Sequence, residues 1–160
     1  MLRISRFAVV AVLSGFLSCP ALATPAMEIS TLAQAPLHAI YESRQFAPLW
    51  LEDGKPSARA SLAIELMGKA ADDALDPADY PLAVLQQQRD ALLQSGDDHQ
   101  QAGFDLAMSQ AMARFVEHLS LGRVAPSAVG IGIDLSPQHA HLQAVLTASD
   151  LPAALAARFG

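Results

Sequence analysis

The segment Ile40-Tyr41-Glu42-Ser43-Arg44-Gln45-Phe46-Ala47-Pro48-Leu49-Trp50 constrains this chain more than any other. It holds the only Trp, one of two Tyr and one of six Phe in 160 residues. A buried aromatic side chain removes more apolar surface from water than any other, so a domain this short of them organises its core around these rings. Pro48 keeps a preceding helix from running through Ala47. The expectation is a helix ending at Arg44 or Gln45, with Tyr41 and Arg44 one turn apart and Phe46 to Trp50 crossing onto the core as an extended segment. Tyr41, Arg44 and Trp50 could instead line a sugar-binding surface; core packing is the favoured reading.

The first residues read as an export signal. Arg3 and Arg6 precede an apolar run from Phe7 to Leu17, and Ala21-Leu22-Ala23 offers small residues for cleavage. The run is shorter than the roughly 20 apolar residues of a spanning helix, which disfavours an uncleaved anchor. Cleavage after Ala23 would give an exported, periplasmic or envelope chain with no transmembrane span. It would also remove Cys19, the only cysteine, leaving neither a disulfide nor a thiol nucleophile. Leu17 stands where a lipoprotein signal prefers a small residue, so lipidation of Cys19 is disfavoured. The whole chain carries 10 basic and 16 acidic residues; without Arg3 and Arg6 the net charge is −8, which argues against nucleic acid and anionic membranes.

The rest reads as a compact all-α domain of several helices joined by irregular segments. Residues 24–36 look like a mobile linker of small residues interrupted by Pro25. A first helix is expected from about Pro36. Asp53-Gly54 marks a turn; a hairpin there is disfavoured because no apolar alternation follows, and the chain instead enters a helix capped by Ser57, with Leu62, Ala63, Leu66, Met67 and Ala70 inward. Asp76 caps a short turn that opens with Pro77 and ends at Tyr80. A helix from Pro81 with Leu82, Leu85, Arg89 and Leu92 on one face stops at Ser95-Gly96. The longest apolar stripe, Phe104, Ala107, Met108, Ala111, Phe115, His118 and Leu119, predicts a central helix from about Gly103 to Leu121. Gly122 is its C-cap, and Asp105, Ser109, Arg114 and Glu117 lie on its polar face. Gly130 to Leu135 reads as loop. Two helices follow, one opened by Ser136-Pro137 with Leu142, Val145 and Leu146 inward, the other capped by Asp150.

Three motifs occur in order: Ile40-Tyr41-x-x-Arg44-x-Phe46-x-Pro48-Leu49-Trp50-Leu51 with Asp53-Gly54, then Leu75-Asp76-Pro77-Ala78-Asp79-Tyr80, then Gly122-Arg123-Val124-x-Pro126. Together they resemble the N-terminal scaffold domain of the large bacterial L,D-transpeptidases, exported enzymes that cross-link peptidoglycan stem peptides. The resemblance covers Leu37 to the end of the chain. It implies a non-catalytic scaffold module in cell-wall maintenance, partnered by a transpeptidase catalytic domain or another cell-wall protein and able to contact peptidoglycan. Family enzymes carry a Ser-His-Gly-Cys-x-Arg type motif in a later domain; this sequence has none and stops within the scaffold-like region. A truncated or split member that performs no acyl transfer alone is therefore expected. The alternative is a free-standing exported helical adaptor.

The remaining polar residues suggest structure before chemistry, and no cofactor or metal is expected. His139 and His141 are two apart and lack a third ligand. His118 on the apolar face suits a core histidine with a satisfied ring. Asp72, Asp73, Asp76 and Asp79 lack the alternating ligands and central glycine of a calcium loop. A glycan-cleaving carboxylate pair would need a groove that the sequence does not reveal. Arg123 suits bonding to helix-end carbonyls better than binding an anionic substrate.

Overall fold

The computed structural model describes residues 24–121 and 136–159. The expected leader at 1–23, the Gly122 cap, Arg123 and the Gly130 to Leu135 loop lie outside them. The described residues contain seven α-helices, one minimal hairpin and, between α3 and α4, two short 3-10 turns at Ala70–Asp73 and Pro77–Asp79: α1 (Pro25–Leu32), α2 (Leu37–Glu42), β1 (Leu51–Glu52), β2 (Lys55–Pro56), α3 (Ala58–Gly68), α4 (Leu82–Gln94), α5 (Asp98–Leu121), α6 (Ser136–Thr147) and α7 (Leu151–Phe159). This is the all-α architecture that the composition and periodicity imply.

The 24-residue α5 is the central element, packed against α1, α3, α4 and α6. A helix in contact on several sides cannot keep one polar face. Asp105 and Ser109, placed on a face apart from the apolar stripe, are fully buried, and Phe104, Leu106 and Met108 are buried with them. The helix also starts at Asp98, inside the stretch read as a polar connection. Asp97 accepts a hydrogen bond from the Gln100 N–H at 2.8 Å, and the Gln100 side chain answers the Asp97 N–H at 3.1 Å. That reciprocal pair is a capping box and starts the helix early.

Residues 24–36 were expected to be a linker; they contain α1 instead. The Thr24 hydroxyl accepts from the Met27 N–H and Pro25 opens the first turn, so Thr-Pro is a start signal here rather than an interruption. Ile29 is completely buried against the bundle.

The aromatic segment also departs from expectation. Helix α2 ends at Glu42, short of Arg44, and Gln45 and Phe46 both take left-handed backbone angles, φ 56° and 58°. The Phe46 N–H closes the helix end by donating to the Tyr41 carbonyl at 2.8 Å. The chain therefore reverses through a tight turn before Leu49 and Trp50 enter the core, rather than crossing as an extended strand. The hairpin that the missing apolar alternation disfavours does form: Asp53-Gly54, φ 51° and 74°, makes a two-residue turn that pairs Leu51 with Pro56, and two residues a side need no alternation. Both angles are positive, as the favoured hairpin turn requires. Helix α3 follows from its Ser57 cap, but its buried stripe is Ala60, Ala63, Ile64 and Met67, rotated so that Leu62 and Leu66 are only half-buried.

The later helices match their expected faces, with Leu85 and Leu92 buried on α4 and Leu142, Val145 and Leu146 on α6. Asp150 accepts from the Ala153 N–H at 3.0 Å and starts α7. Among the described residues no helix is long and apolar enough to cross a membrane.

Candidate functional site: a buried polar hub on the central helix

Tyr41, Trp50, Asp105 and Ser109 meet in the interior with none of their surface exposed. Asp105 and Ser109 lie four residues apart on α5 and so share one face. Opposite them, the end of α2 supplies Tyr41 and the turn after it supplies Leu49 and Trp50. The two Asp105 oxygens divide the work: Oδ1 accepts from the Tyr41 hydroxyl at 2.5 Å and the Leu49 N–H at 3.0 Å, and Oδ2 accepts from the Trp50 N–H at 2.7 Å. Ser109 Oγ accepts from the Trp50 indole Nε1 at 2.8 Å and lies 2.7 Å from the Tyr41 hydroxyl. Both aromatic polar tips thus find partners, as buried Tyr and Trp require.

The electrostatics follow from burial. Burial pushes the Tyr41 phenol far above its ordinary range, and the adjacent Asp105 charge adds to the effect, because ionising Tyr41 would place two negative oxygens in contact. Burial also raises the Asp105 carboxyl, while the N–H groups of Leu49 and Trp50 and the Tyr41 hydroxyl pull the other way. The Tyr41 shift makes a prediction. The folded state holds a proton that the unfolded state releases above about pH 10. The stabilisation is therefore complete below that pH and is lost as pH rises beyond it. Of the two tyrosines, Tyr41 is expected to stay silent in a tyrosinate absorbance titration until the protein unfolds; ionisation of Tyr41 in the folded state at its ordinary pH would contradict the hub.

Arg59 on α3 closes the hub from outside. Its guanidinium carbon sits 4.3 Å from the centre of the Trp50 ring. It donates to the Leu49 carbonyl at 3.1 Å, to the Val145 carbonyl at 3.1 Å and to the Leu146 carbonyl at 2.7 Å. Helix α6 thus ends on a cation that also stacks on the core tryptophan. Burial, with Arg44 as a second cause, lowers the Arg59 pKa. Arg59→Lys is expected to destabilise the protein by about 2 kcal/mol, because one ammonium cannot reach three carbonyls and stack as well. Amide hydrogen exchange at the end of α6 should accelerate in that variant, and unchanged protection would remove Arg59 from this role.

The other residues singled out in the sequence fall into two groups. Tyr80 is buried, packs edge-on against Phe115 with ring centres 5.5 Å apart, and its hydroxyl lies 3.0 Å from His118 Nδ1. His118 is thus a half-buried histidine with a ring partner. Asp76 accepts from the Ala78 N–H at 3.0 Å and caps the short turn Pro77–Asp79 that delivers Tyr80. Pro48 is half-buried, and Arg44 is exposed, contributing only its nearby charge to the hub. A sugar platform of Tyr41, Arg44 and Trp50 does not exist, since both rings are inside. Sequence reasoning missed Asp105, Ser109 and Arg59. The signal for Asp105 and Ser109 was the need of buried Tyr and Trp tips for polar partners four residues apart on the central helix; Arg59 had no such signal.

Chemically this arrangement holds chain segments together. Ser109 is bonded to Tyr41 and Trp50 rather than to a basic histidine, so it lacks the activation of a nucleophile. Among the described residues no group of three or more His, Cys, Asp or Glu side chains could hold a metal ion. Fold and hub define a helical module whose buried polar groups fix architecture. A family model described as a scaffold domain matches residues 35–158. The chain belongs to this scaffold domain family, the domain found in L,D-transpeptidases. Comparisons with curated proteins and with solved structures give no match.

Proposed function

We propose that this chain is the non-catalytic scaffold of an exported L,D-transpeptidase, and that it holds a cysteine-dependent catalytic domain in place for peptidoglycan cross-linking. The observation that carries the reading is the family match across residues 35–158, which includes the Tyr41 to Trp50 and Asp76 to Tyr80 motifs. The hub supports it physically. Its polar groups are consumed in joining α2, the hairpin, α3, α5 and α6, which suits a rigid support better than a reacting centre. The export signal read at Arg3 to Ala23 is consistent with work in the periplasm or envelope.

The test is to mix the purified protein with a catalytic domain of an L,D-transpeptidase and measure complex formation and cross-linking of stem peptides. A saturable complex with faster cross-linking than the catalytic domain gives alone is expected. Saturable binding to another envelope component, with none to the catalytic domain, would overturn the reading in favour of a free-standing adaptor.

A further inference from the structure

A surface helix ordinarily turns a charged face to solvent. Helix α7 does not: it buries Leu151, half-buries Leu155 and Phe159, and exposes Pro152, Ala153, Ala156 and Ala157, with Arg158 its only charged residue. Beside it runs a groove of about 280 Å³ floored by Leu66, Phe115, Leu119, Leu155 and Phe159, with Pro152 and Ala156 of α7 forming one wall. This volume is just below the range of about 300–1,000 Å³ typical of small-molecule pockets, and fits a few side chains of a docked helix better than a free ligand. Asp72 and Asp73, both exposed, stand at its rim. Lys69, the cation at the same rim, is paired with Glu65 at 2.6 Å and also feels the charge of Asp72.

The groove therefore suits a helix with small apolar residues and a basic residue, and α7 is such a helix. A two-fold interface uses the same patch on both subunits, so the patch must contain both the inserting element and its receptor. Here it does: the alanine face and Arg158 are the insert, and the apolar floor with Asp72 and Asp73 is the receptor. We infer that two copies of this chain associate through α7, the helix of each lying against the groove of the other with Arg158 facing Asp72 and Asp73. Alanines at the contact let the helices approach closely, and the opposed charges set which copies fit. One helix and one groove per subunit make a small interface, so the association is reversible and concentration-dependent.

Light scattering coupled to size exclusion, run on the purified protein across a wide concentration range, tests this. The mass is expected to double as concentration rises. Arg158→Glu should weaken the doubling on the order of tenfold or more by setting like charges together, as should Asp72→Lys with Asp73→Lys. Combining the three substitutions restores opposite charges and should recover the association. All three positions are exposed, and circular dichroism checks that the variants remain helical. A protein that stays monomeric throughout, its groove left to a segment of some other protein, would overturn the inference. So would a dimer indifferent to all three substitutions, which would place the contact on another face.

Discussion

Asp105→Ala is expected to cost about 4–6 kcal/mol. Three donors converge on that carboxylate: the Leu49 and Trp50 N–H groups and the Tyr41 hydroxyl. In the alanine variant the Leu49 and Trp50 N–H groups are left without an acceptor at about 1–3 kcal/mol each, whereas the Tyr41 hydroxyl keeps Ser109 Oγ at 2.7 Å, and the alanine cavity adds a further term. Against a total stability of about 5–15 kcal/mol, such a loss unfolds a large share of molecules at body temperature. Asp105→Asn refines the argument. An amide accepts at its oxygen only, so its nitrogen must meet either the Trp50 N–H or the Leu49 N–H with Tyr41, and the cost should be about half that of alanine. Chemical denaturation measures both. Removing the Tyr41 hydroxyl first, as Tyr41→Phe, should reduce the penalty of Asp105→Ala, because the Tyr41–Asp105 bond is then already lost. Strict additivity between the two would show that the bond carries no energy.

The hub also marks the limit of what was legible in the sequence. Local signals were read correctly where a residue acts on its own neighbours. Ser57, Asp76 and Asp150 cap the turns they were expected to cap, and Leu142, Val145 and Leu146 face inward at helical spacing. Local signals were misread where two readings compete. Thr24-Pro25 is both a cap with a first-turn proline and a linker-like dipeptide, and only the burial of Ile29 decides for helix. Asp97 with Gln100 looked like a polar connection, although the same pair forms the box that starts α5.

Asp105 and Ser109 could not be placed by periodicity, since a period says which residues share a face but not how many faces are covered. The missing information is tertiary. Helix α5 has neighbours on several sides, and the side that received Tyr41 and Trp50 needed acceptors rather than apolar groups. Arg59 was missed for a related reason. Its partners, Leu49, Val145 and Leu146, are 10, 86 and 87 residues away in sequence.

Trp50→Ala tests the same interior from its apolar side and should cost about 3–5 kcal/mol. The indole is fully buried, so the substitution leaves a large cavity between α3, α5 and the hairpin entry. It also takes the Nε1 donor at 2.8 Å from Ser109 Oγ, which keeps only the Tyr41 hydroxyl at 2.7 Å, and leaves Arg59 without the ring it stacks on. The melting temperature should fall by about 10–20 °C for a domain of this size. Trp50→Phe separates the contributions: it keeps most of the ring volume and removes the N–H, and a loss of about 1–2 kcal/mol is expected. If the alanine variant melted at the temperature of the unaltered protein, Trp50 would not be at the core. A variant that melted lower yet retained any partner binding at temperatures where it is folded would show that Trp50 supports the surface from beneath without touching what binds there. That outcome is the one the geometry requires, because none of the indole reaches solvent.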